Sequence, residues 1–182
     1  HLGFSMEEIE ENKNFDEQVV EIISHVKQYE EKYEREIPVV FGGGVFDRKD
    51  IDHYLSLGCA GVQMATRFVA TEECDASDAF KQAYLSASKE DVAIVKSPVG
   101  MPGRAIKNAF VKMVEGGRKP VEKCFRCMDH CDPKTTPYCI TTALSNSAAG
   151  KVDEGLIFCG ENAYRINEIT TVKKIINELS TS

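Results

Sequence analysis

Between Asn14 and Glu34 the apolar positions fall at spacings of three and four. Phe15, Val19, Ile22, Ile23, Val26, Tyr29 and Tyr33 share one helical face, and Glu17, Glu21, Glu31 and Glu34 take the other. A short β-rich run, Ile37 to Phe41, follows and ends in Gly42-Gly43-Gly44. A second helix is then predicted, with Asp47 as N-cap, Ile51, Tyr54 and Leu55 turned inward, and Gly58 as the stop. Ala60 to Met64 reads as a second strand, Ala65 to Phe68 as a turn or short helix, and Asp75 to Ser86 as a further helix. Helices alternating with short strands over short links are the mark of parallel βα units.

Beyond Asp91 the pattern loosens. Lys96 to Arg104 is rich in turn formers and reads as a loop, and Ala105 to Glu115 as a helix ending at Gly116-Gly117. Residues 124–139 contain Pro133 and Pro137 and read as irregular; Thr141 to Ala149 is a short helix stopped by Gly150. Ile169, Val172, Ile175, Ile176 and Leu179 define a closing amphipathic helix. The predicted class is therefore α/β: βα units, then a cysteine-bearing insert, then a final helix.

Composition refines this picture in three places. The 182 residues are 42% hydrophobic, enough for a core. Residues 1–36 account for the whole net charge of −7, while 37–182 balance. The acidic surplus is then chiefly the wet face of the first helix, and no basic face is offered to nucleic acid. No apolar run approaches the ~20 residues that a membrane span needs. With seven cysteines and no recognisable export signal, a cytoplasmic location is expected. A chain that opens on His1 reads as the latter part of something longer.

Glycines between a strand and a helix expose backbone N–H groups, so Gly42, Gly43 and Gly44 are a candidate anion site. No GxGxxG pattern or P-loop lysine accompanies them. The next strand ends at Gln63-Met64-Ala65-Thr66. In a parallel barrel its end lies beside the first, the arrangement of the phosphate site after the last two strands of many TIM barrels. Arg67 fits a surface ion pair better, and His25 and His53 fit surface or packing roles.

Cys124, Cys127, Cys131 and Cys139 form C-x2-C-x3-C-x7-C, with His130 and Asp132 nearby. Thiols this dense favour a metal or Fe–S cluster over disulfides, although the spacing is neither a standard zinc ribbon nor a bacterial ferredoxin pattern. Reduced thiols packed as small hydrophobes are the alternative. Cys59 and Cys74 read as bystanders, and Cys159 as a remote partner for the group.

The segments HLGF, IPVVFGGGVFDRKDI, LGCAGVQMATRFVATEECDASDAFK and SPVGMPGRAIKN occur in order over residues 1–115. Together they resemble the nitronate monooxygenase family, formerly 2-nitropropane dioxygenases, which includes FMN-dependent enoyl-ACP reductases. GVQMATRF is the most specific block. The resemblance implies the second half of an FMN-binding TIM (β/α)8 barrel over 1–117; the residue pattern adds a Cys-containing appendage over 118–163 and a closing helix over 164–182. The resemblance makes Gly43 and Gly44 the turn after strand seven, and Gln63, Met64, Ala65 and Thr66 the turn after strand eight. Ala65 stands where relatives usually carry glycine.

His1 matches the family's active-site histidine. An imidazole with a pKa near ~6.5 moves protons around neutrality. The resemblance therefore implies FMN-dependent oxidation of a small-molecule substrate, an alkyl nitronate, with dioxygen. Two alternatives stand beside it: an enoyl-ACP reductase using NAD(P)H, and a metal- or cluster-binding module on a barrel fragment. Either barrel reading calls for the missing N-terminal half of the barrel, and leaves a homo-oligomer open.

Overall fold

The computed structural model describes residues 15–180. Helix α1 (Phe15–Tyr33) realises the first stripe. Val19 is buried, and Ile23 reaches the turn at Gly58, where an added Cβ would lie 3.5 Å from its Cδ1. Ile22, Tyr29 and Tyr33 on the same helix stay exposed. His25 meets the Tyr29 ring edge-on and His53 bonds Asp16 at 3.0 Å, both in surface positions.

Strands β1 (Val40–Gly42) and β2 (Gly61–Gln63) pair in parallel, with Val40 opposite Gly61 and Gly42 opposite Gln63. Between them runs α2 (Arg48–Ser56), opened by a capping box in which Asp47 and Asp50 each accept from the other's backbone N–H. Arg165 pairs with both carboxylates. Burial works against ionisation of Asp47, but the Asp50 backbone N–H and Arg165 outweigh it, and its pKa falls below the ordinary value.

After α3 (Thr66–Val69), helix α4 spans Asp78–Leu85. It starts three residues later than the apolar pattern predicts, because the Ser77 hydroxyl caps it by accepting from the Phe80 N–H.

The stretch that follows departs most from expectation. Val92–Val95 (β3) and Gly103–Ile106 (β4) form an antiparallel hairpin around the Pro98–Pro102 loop, so Ala105 and Ile106 are strand, not helix. Residues 157–159 add a further rung, with Ile106 N–H donating to Ile157 O and Cys159 N–H to Arg104 O, both at 2.9 Å. Helix α5 begins only at Ala109 and runs to Glu115.

Asn108 fixes that start. Its Oδ1 accepts from Val111 N–H at 2.9 Å, while its Nδ2 donates to the carbonyls of Val152 and Gly155. Asn108→Ala removes a cap worth about 1 kcal/mol and strands two half-buried carbonyls for about 1 kcal/mol more. Chemical denaturation should show a loss of about 2 kcal/mol, against under 0.5 for Asn146→Ala at an exposed single bond.

Helix α6 (Ile140–Ala148) and helix α7 (Val172–Ser180) complete the fold. Among the described residues the core has two clusters. One joins Val95, Ala105, Phe110, Tyr138, Ala143 and Leu156, so the hairpin, α5 and α6 share it. The other joins Ala70, Tyr84, Ile106, Ile157, Ala163 and Ile166. Burial pushes the Tyr138 phenol up to about 12, and its hydroxyl donates to the Lys96 carbonyl at 2.9 Å. Among the described residues no helix is long and apolar enough to cross a membrane.

Candidate functional site

Parallel pairing in register brings the C-terminal ends of β1 and β2 side by side, Gly42 against Gln63. Ligands of parallel α/β proteins gather at that end of the strands. Beyond Gly42 the chain turns through Gly43 (φ +140°) and Gly44 (φ +70°), conformations that only glycine adopts without strain. Beyond Gln63 it turns through Met64 and Ala65 into α3, and Gly160–Asn162 close the third side. Gly160 N–H donates to Thr66 Oγ1 at 2.8 Å, and Asn162 Nδ2 donates to the Gly44 carbonyl.

The result is one hollow of about 210 Å³, lined by Gly42–Val45, Gln63–Thr66 and Gly160–Asn162. All seven candidates from the two turns therefore face a common space: Gly42, Gly43, Gly44, Gln63, Met64, Ala65 and Thr66. Gly160, Glu161 and Asn162 had no signal of their own, because they lie nearly a hundred residues further along the chain. The Phe158-Cys-Gly160 stretch draws notice in the sequence only for its cysteine.

The electrostatics are those of a backbone site. Among the described residues no lysine or arginine lines the hollow, and the one charged side chain there is the Glu161 carboxylate, with Arg104 Nη2 3.6 Å away. The α2 terminus does not supply the anion donor that the glycine run suggests, because Asp47 and Asp50 already cap it. The glycine amides remain. Space beside Gly43 is open, with nothing within 4 Å of where a Cβ would stand. Thr66 already accepts from Gly160, which leaves its own O–H to donate. Small exposed amides, a hydroxyl and open volume suit a phosphate.

Arg67 lies outside this hollow. It pairs with Glu178, donates to the Phe46 carbonyl at 3.3 Å and stacks 5.2 Å from the Phe46 ring, the ion-pair role expected of it. His1 lies outside the described residues. Cys159 is half-buried, its thiol pushed up to about 11 by burial against the pull of Arg104, and it does not join the four-cysteine group. Those four, Cys124, Cys127, Cys131 and Cys139, line a separate hollow of about 20 Å³. Among the described residues no three potential ligands already stand in metal-binding arrangement.

The nitronate monooxygenase family model matches residues 1–182, the whole chain. The chain belongs to the nitronate monooxygenase family. This family member is 37% identical over 105 residues to a probable nitronate monooxygenase of Staphylococcus haemolyticus, covering 56% of this chain and 27% of that protein. It is 36% identical over 83 residues to the (3aS,4S,5R,7aS)-5-hydroxy-7a-methyl-1-oxo-octahydro-1H-indene-4-carboxyl-CoA dehydrogenase of Mycobacterium tuberculosis, covering 46% of this chain and 23% of that one. The match thus spans about a quarter of the length of these curated relatives.

Among solved structures, FabK of Thermotoga maritima superposes with a TM-score of 0.64 at 28% identity, over 79% of this chain and 43% of FabK. The nitroalkane oxidase of Streptomyces ansochromogenes superposes at 0.66 over 97% of this chain and 45% of its own, at 18% identity, and shares the fold. The nitronate monooxygenase family member therefore has an α/β fold whose neighbours are TIM-barrel enzymes.

Proposed function

We propose that this chain forms the second half of a TIM-barrel flavoenzyme that oxidises alkyl nitronates with dioxygen, and that the hollow at the ends of β1 and β2 takes the phosphate of FMN. One observation carries the reading: two glycine-rich or small-residue turns, at the ends of adjacent parallel strands, converge on one open space in a chain matched throughout by the nitronate monooxygenase family.

The backbone amides of Gly43, Gly44, Ala65 and Thr66, with the Thr66 hydroxyl, would hold the phosphate. Asn162 positions the Gly44 peptide by donating to its carbonyl. Bound there, the flavin supplies the redox chemistry. His1 would orient the anionic nitronate, or take the proton α to the nitro group at its imidazole. We assign residues 1–117 to the barrel portion, 118–163 to the cysteine-bearing appendage and 164–182 to the closing segment that contains α7. Two parallel strands do not close a barrel of eight, so β1 and β2 need further strands on their flanks. All seven cysteines are free, which suits a reducing cytoplasm.

The likeness to FabK favours a second reading, an FMN-dependent enoyl-ACP reductase using NAD(P)H. The full-length protein decides between them. A yellow preparation that releases FMN on denaturation and consumes oxygen with alkyl nitronates supports the first. NAD(P)H oxidation driven by an enoyl thioester supports the second. A colourless protein that FMN does not reconstitute overturns both.

A further inference from the structure

Residues 116–139 form neither helix nor strand. Irregular stretches this long are uncommon in packed domains unless they carry function. Their ends are tied. Lys119 N–H donates to Pro137 O at 2.8 Å, Arg118 Nε to Thr136 O at 2.8 Å, and the Thr135 and Thr136 amides to Asp132 O. The middle is not tied in this way, and Glu122 to Cys127 are all exposed.

Four cysteines nevertheless line one small hollow here, together with Met128 and Ile140. Two of their sulphurs already receive donors. Arg126 N–H points to Cys124 Sγ at 3.4 Å, in a local turn that holds Arg126 at φ +51°, a left-handed conformation uncommon for arginine. Thr141 Oγ1 points to Cys127 Sγ at 3.1 Å. Cys139 occupies the N-cap of α6, yet its side chain caps nothing and is left for another partner.

We propose that Cys124, Cys127, Cys131 and Cys139 bind a single thiophilic metal ion, with zinc the best fit, which staples this segment to the start of α6. Four thiolates in a tetrahedron suit zinc or iron–sulphur chemistry. The hollow as it stands, about 20 Å³, has the size of one small occupant, which suits a single ion. The C-x2-C and C-x3-C spacings lie in the range zinc sites use. No three ligands are yet in place, so binding draws the sulphurs inward, and the exposed 122–127 stretch has freedom to follow. Four thiols release their protons as the ion binds, and no electron moves.

Elemental analysis of the full-length protein, purified without chelators from zinc-supplemented cells, tests this independently of any flavin. One zinc per chain is expected, with four thiols shielded from a disulfide reagent until a chelator is added. Cobalt substitution should give thiolate-to-metal charge-transfer bands. Changing any of the four cysteines to Ser should remove the metal, while Cys74→Ser keeps it. Thr141→Val leaves all four ligands in place, sparing the fold, and should weaken metal affinity about 10- to 100-fold. One iron without acid-labile sulphide also supports the mononuclear site. A metal-free protein whose four thiols added zinc does not protect overturns the proposal, as does iron accompanied by acid-labile sulphide.

Discussion

Replacing Phe110 with Ala should lower the free energy of unfolding by about 3–5 kcal/mol, read as a fall in the urea midpoint at unchanged slope. Phe110 is 1% exposed, on the inner face of α5. Its ring meets Tyr138 edge to face, centroids 5.2 Å apart, and the Lys119 ammonium lies 5.3 Å from its centre. The space left by the ring would be walled by β3, β4, α6 and Leu156. Those walls are held from outside the cluster. The hairpin has its own ladder, Tyr138 is anchored to Lys96, and the Ser147 hydroxyl donates to the Leu156 carbonyl at 2.7 Å. The site therefore has little means of collapsing, which puts the cost in the upper part of the range for large-to-small changes. Native domains hold only about 5–15 kcal/mol in reserve. Met113→Ala, on the same helix but 44% exposed, should stay within about 0.5 kcal/mol. Equal losses for the two variants would refute this account of the core.

The helices with long one-sided stripes were legible from sequence because their signal is periodic. α1 and α7 repeat an apolar residue every three or four positions over several turns. The Asp47 cap was legible because a carboxylate before a polar first turn has few other uses there. The β3–β4 hairpin was not legible. Val92–Val95 is too short to show a period, and Ala105-Ile106 runs into the apolar start of α5 without a break. Asn108, the one residue that marks the boundary, is visible only if it is read as a cap. At the site, the two turns could be paired because adjacent parallel strands end together. The Gly160–Asn162 wall follows from the rung that residues 157–159 add to β4, and no local pattern announces a contact of that range. The capping of α2 by its own carboxylates likewise moves the anion donors from a helix end to the glycine amides, a distinction that depends on geometry.

Gly43→Ala should weaken FMN binding by about 10- to 100-fold while leaving the stability of the flavin-free protein within about 1 kcal/mol. Gly43 sits at φ +140°, where an L side chain is strained by about 1–3 kcal/mol. The strain need not appear in the unliganded protein. Gly43 is exposed and nothing lies within 4 Å of its new methyl, so no packed side chain stops the free turn from shifting its φ. Binding removes that freedom, because the amides of Gly43 and Gly44 must then point at the phosphate together. The strain is then taken from the binding energy, at about 1.4 kcal/mol per tenfold. Gly117→Ala is the control. It too has open space, but its φ lies outside the positive range, so flavin affinity should not change. Flavin dissociation constants from fluorescence quenching, set beside denaturation of the flavin-free variants, separate the two quantities. If the glycine run serves only to reverse the chain, the pattern inverts: Gly43→Ala lowers stability by about 1–3 kcal/mol and FMN binds as tightly as before.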